Sequence, residues 1–350
     1  MTATTTKPES LLPVSQQTVP LMKAAHCTKY GSPEVIQLTE TEKPTPGAGE
    51  VLVKVHASSV TAADGMMRKG SPYFGRLFLG LTKPKNPTPG TGFAGVIEAV
   101  GHEVEALKVG DRIFGEVLFG LGSNAEYTCV PEMGVLAAMP EGMSFEEGAP
   151  VCDGALTSLN FLKELARIKP GQEVLINGAS GSLGTAAVQI AKSFGAVVTG
   201  VCSTANLELV KSLGADKVID YTHEDFTQTG KSYEVIYDTV GKSSFALSKR
   251  ALTPAGVFVS PVLSLALLFQ MIWTSKSGKK KARFSATGIL PAPKLRELLQ
   301  EVKDLIESGQ VKTVIDRRYP LDEVADAHRY VDMGHKKGNV VLIAGENLED

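Results

Sequence analysis

The sequence predicts an α/β chain in which a β-rich first half is joined to a doubly wound parallel sheet. Three observations carry this. A glycine turn, Gly178-Ala-Ser-Gly-Ser-Leu-Gly184, lies about halfway along, between an apolar β-branched run and a small-residue amphipathic helix. From about residue 151 the pattern alternates strand and helix. Before it, β-prone runs are punctuated by Pro and Gly turns.

At 350 residues the chain has room for two domains with real cores. Residues 1–21, rich in Thr, Pro, Ser and Gln, read as a disordered lead-in with neither the apolar core of a secretory signal nor the arginines of a transit peptide. Residues 22–150 form the first domain, 151–287 the second, and 288–350 return to the first. Nothing in a formal net charge of −2 suggests a nucleic-acid partner or an anionic membrane. Cys27, Cys129, Cys152 and Cys202 are isolated, so a disulfide framework is not expected and a cytoplasmic setting is.

Taken in order, 50–56 alternates as a strand after the turn at 46–49, and 93–100 and 111–117 are further strands, with 83–90 a loop. In the second half, strand 173–177 feeds helix 183–194, which Gly195 stops. Strand 197–201 and helix 206–213 follow, then strands at 217–219, 235–238 and 257–260. Helices at 293–308 and 321–333 and a strand at 339–344 close the chain. Residues 262–273 look like an insertion, too short at about 20 residues per span to cross a bilayer. They would line a pocket, pack in a dimer or lean on a membrane. The basic run 276–283 reads as a solvated loop.

The glycine turn suits a dinucleotide pyrophosphate, because glycines admit the ligand backbone and free amides at the helix start meet negative charge. Gly178, Ala179, Ser180, Gly181, Ser182, Leu183 and Gly184 are therefore candidate cofactor-binding residues; the alternative is a tight turn that binds nothing. An acid at the end of the second strand of such a sheet would hold a ribose 2′-hydroxyl, yet that end reads Val201-Cys-Ser-Thr-Ala-Asn206. The missing carboxylate permits NADP. Thr239, Val240 and Gly241 follow another strand end at the crevice where open parallel sheets bind ligands.

Several strings in order resemble the medium-chain dehydrogenase/reductase superfamily, specifically its zinc-free quinone oxidoreductase branch. They are Val51-Leu-Val-Lys-Val-His-Ala-Ser-Ser-Val, Pro89-Gly-Thr-Gly-Phe-Ala-Gly-Val, Val109-Gly-Asp-Arg-Ile-Phe-Gly115, the glycine turn, Leu213-Gly-Ala-Asp-Lys-Val-Ile-Asp-Tyr221, Tyr237-Asp-Thr-Val-Gly241, Ala327-His-Arg-Tyr-Val and Gly338-Asn-Val-Val-Leu342. The resemblance implies a GroES-like β-barrel catalytic domain plus a Rossmann domain, and a homodimer formed through the Rossmann sheets. It also implies an NADPH pocket of a hydroxyl, a cation and a tyrosine. Ser203 and Tyr221 match two of these; Asn206 stands where the cation is expected, with Lys211 either reaching in or simply solvated.

The superfamily's catalytic zinc needs a Cys, a His-Glu pair and a second Cys; here Thr61 and Thr91-Gly92 occupy the first three places, so no metal is expected. His56 and His102 read as ordinary hydrogen-bonded histidines, and Cys152 near the last place cannot hold zinc alone. Without a Lewis acid, the chemistry left is hydride delivery to an already electrophilic acceptor, a quinone or an α,β-unsaturated carbonyl.

The catalytic candidates are Thr61, whose hydroxyl would serve the nicotinamide ribose or the substrate unless it is structural, and Asp64, a cleft carboxylate or a helix cap. Met66 stands where some relatives carry a tyrosine acid. Thr157 and Asn339 are further cofactor candidates. Tyr73, Phe74 and Phe78 would roof the acceptor pocket or anchor a loop. The expected function is a zinc-independent, NADPH-dependent reductase of quinones or enones, with an alcohol or carbonyl dehydrogenase and a non-catalytic NADPH-binding sensor as alternatives.

Overall fold

The structure, a computed structural model, describes residues 19–71, 73–117, 122–276 and 279–344. The side chains of Phe74 and Phe78, and residues 1–18 of the expected lead-in, lie outside the described residues.

Strands β1 (Leu21–Cys27) and β2 (Ile36–Glu42) pair antiparallel as a two-stranded sheet. A larger sheet is built on β3 (Glu50–Val60), β4 (Gly92–Val100), β5 (Arg112–Glu116), β6 (Tyr127–Pro131) and β7 (Val135–Ala138). Two register shifts between β3 and β4 bend it, as bulges do where a sheet curls toward a barrel. The long β3 pairs with β4 and β6 and also with the last strand of the chain. That strand, β15 (Asn339–Ile343), together with β14 (Ile315–Pro320), completes the seven-stranded sheet.

The second sheet comprises β8 (Glu173–Asn177), β9 (Val197–Cys202), β10 (Lys217–Asp220), β11 (Tyr233–Asp238), β12 (Leu252–Val259) and β13 (Lys281–Arg283). All its pairings are parallel, in spatial order β10-β9-β8-β11-β12-β13. This is the Rossmann order, and it reverses between β8 and β11. Side-chain alternation fixes its two cores. Val174 and Ile176 of β8 pack with Ala187, Val188 and Leu298 on one face, and Leu175 packs with Ile236, Phe245 and Phe258 on the other.

The helix Ala292–Glu307 buries Leu295, Leu298, Leu299 and Val302, an i, i+3, i+4, i+7 stripe. Its core also takes in Ala57, Ala94 and Phe114 of the first sheet, so one apolar cluster runs through both lobes. The helices Ala62–Lys69 and Val324–Asp332 are tied by Asp332, 2.5 Å from Arg68 Nη2 and 3.0 Å from Lys69 Nζ. The Arg68 side chain has no exposed surface, so that pair is the partner that makes its burial tolerable.

Two expectations are corrected. Residues 262–273 are no insertion: the helix Leu265–Lys276 is the crossover between β12 and β13, and parallel strands require such a connection. The basic run 276–283 is not wholly loop, because 281–283 adds β13 to the sheet.

Candidate functional site

The site forms where the strand order reverses. After β8 the chain turns at Gly178, whose φ of 80° suits glycine, and enters the helix Ser182–Ser193. A side chain at Gly178 would place Cβ 2.6 Å from Val240 Cγ1 and 2.7 Å from Thr239 Oγ1, so the two switch loops touch. Gly184 admits the close packing of helix on strand: a Cβ there would lie 2.1 Å from Gly178 O. Gly181 differs, since a Cβ would meet nothing nearer than Gly178 O at 3.5 Å. The glycine there is not required by the fold itself.

The turn's amides divide into two sets. Those of Gly178 and Ala179 donate to Val201 O at 3.0 and 2.9 Å, and that of Gly181 to Gly178 O at 3.1 Å. The helical ladder starts with Thr185 N donating to Gly181 O, and Gly181 offers no side-chain cap. The amides of Ser182, Leu183 and Gly184 therefore have no intrahelical partner; that of Ser182 faces Gly338 O across the bridge between Gly181 and Gly338, while those of Leu183 and Gly184 point out of the positive end of a 12-residue helix. This geometry fits a dinucleotide pyrophosphate.

Around this turn the predicted residues converge unevenly. Asn206, buried, donates from Nδ2 to Ser180 Oγ at 3.1 Å and Ser203 Oγ at 3.2 Å, while its Oδ1 is buried without a partner. These three thus form one wall beside the half-exposed Tyr221. Lys211 pairs with Glu208 at 3.1 Å. One nearby group went unread in the sequence: Asp220 ends β10 level with Cys202 at the end of β9. Hydrogen bonds from Thr204 and then Thr222 hold its carboxyl below the usual range. A carboxylate thus stands beside the end of β9 after all, supplied by β10.

On the other side of the switch, the fully buried Asp238 accepts from the amides of Val240, Gly241 and Ser243 at 3.3, 3.2 and 3.0 Å and from Asn177 Nδ2 at 3.0 Å. Thr239 Oγ1 donates to Asn177 O at 2.8 Å. Of the 239–241 backbone, only carbonyls are left to serve a ligand.

The C-terminal return is pinned to the turn. Gly338 N donates to Ser180 O at 2.8 Å, and Ser182 Oγ lies 2.6 Å from Asn339 Oδ1 and 2.7 Å from Asp153 Oδ2. Asn339 Nδ2 in turn donates to Val314 O. Asn339 is therefore a strut between lobes, with its amide committed inside the protein. Thr157 lies on the helical segment between the lobes and donates to Cys152 O at 3.2 Å. Its neighbour Ser158 bonds Leu183 O at 2.9 Å.

Thr61 and Asp64 form a reciprocal cap on the helix Ala62–Lys69. Asp64 N donates to Thr61 Oγ1 at 3.1 Å, while Asp64 Oδ2 accepts from Thr61 N at 2.8 Å and from Thr61 Oγ1 at 2.7 Å. Both are buried, and the hydroxyl proton of Thr61 is already committed. Burial pushes the Asp64 carboxyl up to about 7 against the Thr61 bonds, with Asp153 adding to the rise. Glu116, half-buried at the end of β5, is likewise pushed up to about 7 by burial, then by Asp153 and Asp64. Asp153 lies 2.7 Å from Ser182 Oγ, at the first residue of the helix Ser182–Ser193, and its charge acts on both Asp64 and Glu116, which are distant from it in sequence.

A side chain at residue 92 would place Cβ 2.3 Å from Ala149 O and 2.5 Å from Ser59 Oγ, so a metal ligand does not fit there. His56 stacks on Phe145 at 4.3 Å, and burial raises the Cys152 thiol. Among the described residues no three of His, Cys, Asp and Glu are grouped to hold a metal ion. Tyr73 is largely exposed, with the Arg76 guanidinium 4.7 Å from its ring.

Two family models match the chain: an alcohol dehydrogenase GroES-like domain over residues 47–141 and a zinc-binding dehydrogenase model over 213–342. A 2-methylene-furan-3-one reductase of Solanum lycopersicum is 34% identical over 92% of this chain and 79% of its own length. A quinone oxidoreductase of Pseudomonas aeruginosa is 31% identical over 92% of this chain and all of its own. Among solved structures, the Escherichia coli quinone oxidoreductase complexed with NADPH superposes with a TM-score of 0.79 at 28% identity, covering 92% of this chain and 99% of that one.

Proposed function

The chain belongs to the medium-chain dehydrogenase/reductase superfamily, in its quinone oxidoreductase-like branch, and on that premise we propose that it is an NADPH-dependent, zinc-independent reductase of quinones or α,β-unsaturated carbonyls. The observation that carries the reading is the pair of open amides at the helix start, Leu183 and Gly184, set at the strand-order switch beneath an open Gly181. The relatives named for enone and quinone reduction, and one solved with NADPH, support it.

The free amides of Leu183 and Gly184 and the helix dipole hold the pyrophosphate, and Ser180, Ser203 and Tyr221 border the ribose phosphate. The bound cofactor supplies a hydride. Addition to an enone or quinone leaves an oxyanion that needs a donor and then a proton. Glu116, its carboxyl pushed up to about 7 and partly accessible, is about half protonated at neutral pH and so both takes and gives a proton there. The carboxyls of Asp64 and Asp153 beside it resist its ionisation. Thr61, Thr91 and Gly92 leave no side-chain set for zinc at the place where the superfamily's alcohol dehydrogenases bind it. A homodimer and a cytoplasmic setting complete the proposal; no described helix is long and apolar enough to cross a membrane.

Gly181→Ala tests the reading. The added methyl meets no protein atom closer than 3.5 Å, so the thermal midpoint should hold within a degree or two. The methyl should block the cofactor backbone and weaken NADPH binding at least tenfold, read by nucleotide fluorescence and by loss of absorbance at 340 nm with a naphthoquinone. Unchanged NADPH affinity would refute the site.

A further inference from the structure

The outward side of the crossover helix Leu265–Lys276 plays no part in this chemistry. With about 100° of rotation per residue, Leu267, Met271 and Thr274 face the protein, and Leu267 and Thr274 are buried. The opposite side should then be polar. Instead it carries Leu265, Leu268, Phe269, Ile272 and Trp273, with Leu265 74%, Phe269 70% and Trp273 75% exposed. A run of large apolar groups on one exposed helix face is an interaction surface, not scattered exposure.

Charge identifies the partner. No Asp or Glu occurs between Asp238 and Glu297, although the chain as a whole has a net charge of −2. At the helix's C-terminal end lie Lys276, Lys279, Lys280 and Lys281; Lys280 Nζ bonds Lys249 O at 2.6 Å, gathering a fifth lysine. Among the described residues none of these five has an ion-pair partner.

We propose that the outward face of the helix Leu265–Lys276, with its lysine rim, docks on an anionic phospholipid bilayer. At about 1.5 Å per residue the 12-residue helix is too short to span the membrane and would lie in its interface. The aromatic and aliphatic groups enter the headgroup boundary while the lysines meet phosphate. This inference stands apart from the redox reading and holds whatever the acceptor is.

The chain contains a single tryptophan, Trp273, so intrinsic fluorescence reports on the site directly. The full chain should float with vesicles in which roughly a third of the phosphatidylcholine is replaced by phosphatidylglycerol, with a blue shift of the Trp273 emission, and not with phosphatidylcholine alone. Raised salt should release it. Lys276→Ala and Lys279→Ala should each weaken binding on the order of fivefold and leave NADPH oxidation with a water-soluble quinone unchanged. Phe269→Ser/Ile272→Ser should abolish flotation while retaining the thermal midpoint. Three results would each overturn the proposal: no blue shift with anionic vesicles, full binding by the Phe269→Ser/Ile272→Ser variant, or a dimer that this variant splits while wild type ignores vesicles.

Discussion

Replacing Asp64 by Asn should change how stability depends on pH. The unfolded carboxyl ionises near 3.8, whereas burial holds the folded one protonated up to about 7. Between these values the unfolded chain has released a proton that the folded chain keeps, so stability falls as pH rises. The full difference of roughly three units corresponds to about 4 kcal/mol, of which about 2.5 kcal/mol is lost between pH 5 and pH 8. Asn retains an acceptor for Thr61 N and Oγ1 but cannot ionise, so the variant should lack this loss. Glu116 sharpens the contrast, because the Asp64 charge is one cause of its own high value. Urea unfolding at pH 5, 6, 7 and 8, followed by far-ultraviolet circular dichroism, gives both curves. Wild type should lose at least about 2 kcal/mol more than the variant over that range. Parallel curves would show that Asp64 is charged in the folded state and would refute its raised carboxyl.

Gly184→Ala drives Cβ to 2.1 Å from Gly178 O and 2.6 Å from Ala179 Cα, both backbone. It should cost about 2–3 kcal/mol in urea unfolding and abolish NADPH binding, in contrast to the silent fold of Gly181→Ala. Asp332→Asn leaves the buried Arg68 guanidinium, whose Nη1 already lacks a partner, without its counter-charge. A loss of about 3 kcal/mol in the same assay is expected. Asp220→Asn removes the carboxylate beside the end of β9 and should raise the NADPH-to-NADH ratio of kcat/KM on the order of fivefold; an unchanged ratio would place Asp220 beyond reach of the 2′-phosphate.

What the sequence reveals follows the range of the forces involved. Strand 173–177 matches β8 residue for residue, and helix 183–194 is offset by one, because an apolar run, a glycine turn and a small-residue helix are all local signals. The three-residue β13 is not legible. Lys281 and Arg283 have no strand pattern of their own, and the segment becomes a strand because β12 offers an edge to it. The same division runs through the site. The glycine turn is readable, and Thr61-Ala-Ala-Asp64 has capping-box spacing that could have decided the cap over the catalytic alternative. Asp220 escaped because only the end of the second strand was read, although parallel register sets the third strand's end beside it. Glu116 and Asp153 carry no local signal, since their grouping with Asp64 exists only once β5 and the helical segment at Cys152–Leu156 are folded together.

The turn's rigidity explains why so little of its surface remains for a ligand to order. The amides that shape it are bonded to Val201 O and Gly178 O. Its side chains are held from outside: Ser180 by Asn206, and Ser182 by Asp153 and Asn339. These supports come from the interlobe helical segment, the loop after β9 and the C-terminal return, so the pyrophosphate seat is finished only when both lobes are in place. A ligand arriving there meets amides that are already oriented and loses little affinity to loop ordering. The same bonds couple the seat to the lobes' relative position, because Asn339 begins a strand of the first sheet while Ser182 begins the helix of the second. An altered angle between lobes would therefore be felt first at Ser182 Oγ, in the first residue of the helix proposed to hold the phosphates.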